Sequence, residues 1–368
     1  MALFDRYVGI DYSGAEVATS SLKGLRIFAA TASTPPAEVL SPPPVPPSQR
    51  RYWTRRLIAE WLAEILEGGT PTLVGIDHAF CFPLAYFKRH GLSGDWPAFL
   101  DDFQRHWPTD EDHLYVDFIR DGLHGNGAAR MGSSKWRRLA ELRTGAKSVF
   151  HFDVQGSVAK STHAGLPWLR YLRNRLGEGV HFWPFDGWNP PPGRSVVAEV
   201  YPRLWKDLRP GGDLTPDQED AYAVAAWMKQ EDGAESLSGH FNPPLTEEVR
   251  PIAEIEGWIL GLGGEDPKRD KRREKSERKH ERPRAEGGHC PECHIRFDSD
   301  QVAWVDDTNV SVAEVVRLWM AVGQNLTALH SLLPGLSMGQ IHAALAYYED
   351  HRLEFDESPK ESQRPRSR

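Results

Sequence analysis

RYVGID at Arg6–Asp11 and TLVGID at Thr72–Asp77 are two apolar runs that share their last four residues, Val-Gly-Ile-Asp. Each has the length of a strand buried on both faces, as in a parallel sheet. Side chains alternate along a strand, so valine and isoleucine fall on one face and glycine and aspartate on the other. If the two strands are neighbours in register, Asp11 and Asp77 stand side by side at their carboxyl ends, where open α/β sheets place ligands. Two close carboxylates repel, and a bound divalent cation is the usual remedy. For either residue alone, a turn or cap aspartate is the alternative.

Working outward, Ser21 to Ala30 reads as a second strand and Pro35 to Pro47 as a proline-rich surface excursion, since proline continues neither a central strand nor a helix. Leu57, Ile58, Trp61, Leu62 and Ile65 recur at helical spacing across Tyr52 to Leu66, and Gly68-Gly69 stops that helix. Trp96 to Trp107 and Val158 to Leu176 read as helices, and Gly122 to Gly132 as a loop. Ser195 to Tyr201 (SVVAEVY) is a strand closed by Pro202. Thr215-Pro216 with Gln218 carries the cap signature of a helix running to Lys229. Ile252 to Leu262 is expected to be the last helix of this part.

Two further acids join the strand-end pair as candidates. Glu199 lies between Ala198 and Val200 in an apolar strand, where a lone carboxylate is costly; it is a ligand or has an arginine partner. Asp220 borders the helical stripe of Ala221, Val224, Ala225 and Met228. Asp217, one turn earlier, is a weaker candidate, because an acid near a helix N-terminus is favourable without any catalytic role. Lys147, Lys160, Arg130 and Arg170 are candidate phosphate contacts, with ordinary surface charge as the alternative.

Val8 to Ala15 (VGIDYSGA), Gly75-Ile76-Asp77, Ala198-Glu199-Val200-Tyr201-Pro202 and Asp220-Ala221-Tyr222-Ala223 resemble, in this order, a family described as predicted RNase H-like nucleases. The resemblance spans most of residues 6–262. It implies an α/β fold, an RNase H-like mixed sheet with flanking helices, in which Asp11, Asp77, Glu199 and Asp220 hold one or two Mg²⁺ or Mn²⁺ ions and hydrolyse phosphodiester bonds of DNA or RNA. Such ions take oxygen ligands, which suits carboxylates. A nucleotide-binding phosphotransferase or ATPase, with Asp11-Tyr12-Ser13-Gly14 near phosphate, is one alternative; a non-catalytic nucleic-acid or protein adaptor is another.

The four regions expected are a domain over 1–265, a basic linker over 266–288, a small all-α domain over 289–357 and a disordered tail over 358–368. The linker is marked by Lys268 to Arg284, KRDKRREKSERKHERPR, which has no apolar face. Cys290 and Cys293 form one Cys-x-x-Cys pair, half of a zinc site, or a knuckle with free thiols. Beyond it, Val312 to Val316, Pro334 to Ser337 and Ala343 to His351 resemble a small helix-turn-helix family found among antitoxin-like proteins. Apolar faces at Val312, Val315, Val316 and Trp319, at Leu326, Leu329, Leu332 and Leu333, and at Ile341, Ala344, Leu345 and Tyr348, broken at Gly323 and Pro334-Gly335, read as three helices. The resemblance implies DNA binding, and a module that binds a protein partner or a second copy of the chain is the alternative.

The 368 residues carry a net charge of -8, so there is no global pull toward nucleic acid and any such contact must be local. Three cysteines exclude a disulfide framework and fit a reducing compartment. The N-terminal MALFDRYVGI lacks a basic-then-apolar secretion pattern, and no apolar run reaches the roughly 18 residues of a membrane span. A cytoplasmic protein without membrane contact is expected.

Overall fold

The computed structural model describes residues 2–42, 52–152, 154, 156–263, 295–297, 303–305, 308, 310–322, 325–333 and 336–350. The basic linker, the Cys290/Cys293 pair, the C-terminal tail and much of the proline-rich excursion lie outside them. The chain divides into two compact units, Met1–Glu277 and Arg278–Arg368. Among the described residues, no helix is long and apolar enough to cross a membrane.

The first unit is α/β, built on a six-stranded mixed sheet. Its strands are β1 (Arg6–Asp11), β2 (Arg26–Thr31), β3 (Ala37–Glu38), β4 (Thr72–Asp77), β5 (Val180–Trp183) and β6 (Ser195–Glu199). They lie in the order β3-β2-β1-β4-β6-β5. β1, β2 and β3 pair antiparallel, whereas β4, β6 and β5 continue the sheet parallel to β1. The repeated tetrapeptides are in register, Gly9 opposite Gly75 and Asp11 opposite Asp77. Identical residues pair because each strand offers the same small-then-apolar profile to the layers above and below.

Those layers differ. On the valine and isoleucine side lie α1 (Arg55–Glu67) and α6 (Ala159–Leu176), where Val8, Ile10, Val74 and Ile76 share a core with Ile58, Leu62, Leu166 and Leu169. On the glycine side lies α7 (Pro216–Gly233), packed on β1 and β2. Glycine permits that approach: a methyl group on Gly9 would sit 2.3 Å from the Ala221 carbonyl oxygen. Thr215 caps α7 as its sequence signals, with Gln218 Oε1 accepting from the Thr215 N–H at 3.0 Å.

Several expectations shift. The second strand begins at Arg26 instead of Ser21, and the proline-rich excursion contributes β3, a two-residue edge strand. The helix expected over Ile252–Leu262 is α9, Arg250–Glu256, after α8 at Leu237–Phe241. It stops at Gly257, whose positive φ of 78° turns the chain out of the helix. Between β4 and β5 the chain adds α2 (Leu84–His90), α3 (Trp96–His106), α4 (Val116–Arg120) and α5 (Leu139–Thr144).

The second unit holds an antiparallel pair, β7 (Ile295–Phe297) and β8 (Ala303–Val305), followed by α10 (Val312–Ala321), α11 (Leu326–Leu332) and α12 (Met338–Asp350). Its own core joins Val305, Val312, Val315, Leu329, Ile341, Ala344 and Tyr348. The three helices were legible in the sequence. The strand pair corrects the expectation of an all-α unit.

Candidate active site

Asp11 and Asp77 end adjacent parallel strands on the face covered by α7, and both are half-buried. From Gly9 to Asp11 is two residues along β1. The matching step on α7 runs back one turn from Ala221 and Ala225, bringing Asp217 and Asp220 over the strand ends. The Asp11 carboxyl is pushed well above the usual carboxylate range, by burial first and then by Asp77, Asp217 and Asp220, while Arg209 pulls the other way. Asp77 is raised likewise, by burial and then by Asp220 and Glu199. No hydrogen bond or ion pair among the described residues reaches the carboxylate of Asp11 or Asp77.

Asp220 is raised by burial, against which Arg209 acts. The two form an ion pair, at 28% and 24% side-chain exposure for Arg209 and Asp220. Arg209 lies just past the helical turn Pro202–Leu208, and Gly211 and Gly212 follow it at φ 67° and 90°.

Glu199 is placed differently from the sequence expectation. It sits opposite Ile76 in the β4–β6 pairing, so its side chain leaves the sheet on the α1/α6 face, the opposite face from Asp77, yet near enough for its charge to raise the Asp77 carboxyl. There Arg138 grips both its oxygens, Nη1 to Oε2 at 2.8 Å and Nη2 to Oε1 at 2.5 Å, and the Phe80 N–H donates to Oε2 at 3.0 Å. Arg138 also donates to Glu141, at 3.0 Å. Glu256 accepts from the Leu84 and Leu139 N–H groups at the starts of α2 and α5, at 2.6 and 2.7 Å. Glu199 is therefore a member of a buried ionic network, its oxygens already paired, where the sequence expected a ligand.

The basic candidates have acid partners too. Arg130 forks onto the buried Asp102 at 2.8 and 3.1 Å, Arg170 meets Asp101 at 2.7 Å, and Lys160 meets Asp117 at 2.7 Å. Lys147 is half-buried in the turn after α5. Sequence reasoning ranked Asp217 low and passed over Arg209 and Arg138. The i, i+3 spacing of Asp217 and Asp220 was the available signal for the first. For Arg138 the Glu141 three residues on is a local mark, but its pairing with Glu199 and that of Arg209 with Asp220 join separate elements and leave none.

The strip from Tyr12 to Glu16 that follows β1 is tied down from below. The buried Arg55 donates to the carbonyls of Ser13, Ala15 and Glu16 at 3.1, 2.6 and 2.7 Å. Gly14 meets the backbone of Lys160 and Ser161 at the start of α6, where an added methyl would lie 2.1 Å from the Lys160 carbonyl. The loop that carries the chain away from Asp11 is thereby rigid, which fixes the direction of that carboxylate.

Among the described residues, no group of three or more His, Cys, Asp and Glu side chains is arranged to hold a metal ion. Of the acids gathered here, Glu199 is paired with Arg138 and Asp220 with Arg209, whereas Asp11, Asp77 and Asp217 have no such partner among the described residues. No protein-family model, curated protein or solved structure matches the chain.

Proposed function

We propose that the first unit is an RNase H-like, divalent-metal-dependent nuclease that hydrolyses phosphodiester bonds of a nucleic acid. One observation carries the reading: Asp11 and Asp77 are adjacent, half-buried carboxylates without partners among the described residues, at the carboxyl ends of neighbouring parallel strands. Such a pair is electrostatically unfavourable unless protonated or neutralised by a cation. Mg²⁺ is commonly held by one or two carboxylates, with waters and substrate phosphates completing its shell, so two open aspartates fit it without a third fixed ligand. The order of elements is in line with the family resemblance: a strand hairpin, a helix, a strand, an insertion, a strand and the helix α7. β5, α8 and α9 are additions to it.

The chain's own groups divide the work. Asp11 and Asp77 supply the ligand oxygens, and Asp220 adds negative potential and a third oxygen once free of Arg209. The Arg138 network holds the end of β6 beside β4, and α7 keeps water from the glycine face. A bound cation would supply polarisation of a phosphate oxygen and a more acidic water. For the second unit we propose an interaction module, helix-turn-helix-like in its three helices, that binds nucleic acid, a protein partner or another copy. A cytoplasmic location fits the buried thiol of Cys81.

Labelled DNA, RNA, hybrid and branched substrates incubated with the protein and Mg²⁺ or Mn²⁺ test this, with ATP turnover followed in parallel. Polymer cleavage that disappears in Asp77→Asn is expected. ATP turnover without cleavage would point to the phosphotransferase instead, and neither activity to a non-catalytic adaptor.

A further inference from the structure

We propose that Arg209 is an internal counter-ion of the carboxylate site, competing with a divalent cation for Asp220 and, once displaced, binding a substrate phosphate. The inference rests on the nuclease reading and adds a part to it.

Three observations converge on this side chain. Its guanidinium holds Asp220, the one acid of α7 that both strand aspartates feel. Its Nε–H is buried and has no acceptor among the described residues, so the fork that grips Asp220 has a free prong. A buried donor left unpaired is costly, and an anionic oxygen is the acceptor that would satisfy it. Finally, the backbone beside it is Pro210-Gly211-Gly212, with both glycines in the left-handed region, a stretch that can swing without the strain a side chain would add.

Charge explains the exchange. Four aspartates gather here with one arginine, so without a cation the arginine provides the local neutralisation. A divalent ion brings twice that charge to the same oxygens, and arginine and ion repel at short range. Displaced toward solvent, a guanidinium is suited to a phosphodiester because its planar fork matches two phosphate oxygens.

The full chain is titrated with Mn²⁺ by calorimetry, as wild type, Arg209→Gln, Arg209→Lys and Asp77→Asn, with a thermal melt of each variant. Arg209→Gln is expected to bind Mn²⁺ about tenfold more tightly or better, since a competing charge is gone. Arg209→Lys, which keeps the charge, should stay near wild type. In the presence of saturating Mn²⁺, a phosphorothioate oligonucleotide should bind Arg209→Gln more weakly than wild type. Weaker or unchanged Mn²⁺ binding in a folded Arg209→Gln overturns the counter-ion role, as does Arg209→Lys behaving like Arg209→Gln. Unchanged oligonucleotide affinity overturns the phosphate role. Asp77→Asn separates the two levels: if it binds Mn²⁺ like wild type, the carboxylate site itself is wrong. If it loses Mn²⁺ while Arg209→Gln is unchanged, only the role of Arg209 fails.

Discussion

Asp77 and Glu199 lie one strand apart and make opposite predictions. Both strand aspartates have a raised carboxyl pKa, from burial first and then from neighbouring negative charge. The folded chain then keeps its proton after the unfolded chain has released it. This stability is full below the unfolded value near 4 and is lost as pH rises through the folded value. Cation-free wild type should therefore lose stability from about pH 4 upward. Asp77→Asn should flatten that slope and melt higher than wild type at neutral pH. With Mg²⁺ the order should reverse, because the ion stabilises only the chain that binds it. Thermal melts at several pH values, with and without Mg²⁺, read all of this. A mutant destabilised in both conditions would make Asp77 a structural cap. Glu199→Gln, in contrast, leaves Arg138 buried beside an uncharged partner. Breaking such a pair costs about 3–5 kcal/mol, readable by urea denaturation, with or without cation. The two strand-end aspartates were legible from the repeated tetrapeptide. The partner of Glu199 was not, because Arg138 comes from a helix start that only the tertiary fold brings across.

At the scale of elements, the contact between α7 and the sheet decides whether the α7 acids reach the strand ends. The two glycines under α7 meet different surfaces. An added methyl on Gly9 would strike backbone, the Ala221 oxygen at 2.3 Å and the Ala225 nitrogen at 2.8 Å. On Gly75 it would strike side-chain methyls and not backbone, Val200 Cγ1 at 2.7 Å and Val224 Cγ1 at 2.8 Å. Gly9→Ala should thus lift α7 and cost about 3 kcal/mol, at the upper end of overpacking, and Gly75→Ala about 1 kcal/mol. Denaturant midpoints check the order. Equal costs would mean that α7 is not seated on β1 as described. Helix α7 announced itself through Thr215-Pro216 and Gln218, since capping is chemistry within four residues. Strand β5, Val-His-Phe-Trp, carries no such local mark: its four residues are all buried, with no alternation to read, and only pairing with β6 makes them a strand. The end of α9 was missed for a related reason. Apolar residues continue past Glu256 to Leu262, but Gly257 takes a left-handed turn against the Phe185 ring.

Across the whole molecule, charge is unevenly distributed along a chain whose total is -8. Lys268 to Arg284 holds ten Lys and Arg against four Asp and Glu, and composition alone is enough to read it as a place where no core can form. The chain divides into two units within this run, between Glu277 and Arg278; the β7–β8 pair left no sign in the sequence, because three-residue strands leave no periodic trace. In the nuclease reading the acidic total repels a polyanion, and the candidate bases of the first unit offer little compensation: Arg130, Arg170 and Lys160 are each paired with an aspartate. Non-specific attraction then falls to the basic run. Counterions released from neutralised phosphates make such binding salt-dependent, the logarithm of affinity falling by about 0.9 per phosphate contact for each tenfold rise in salt. The full chain should therefore bind duplex DNA with a steep salt slope, and a chain lacking residues 268–284 with a slope lower by about two to four contacts. The measurement is fluorescence anisotropy between about 50 and 200 mM salt, the range over which a loss of several contacts changes affinity severalfold. Equal slopes for both chains would assign the segment no binding role and make it a spacer, its interspersed acids cancelling the field of its bases.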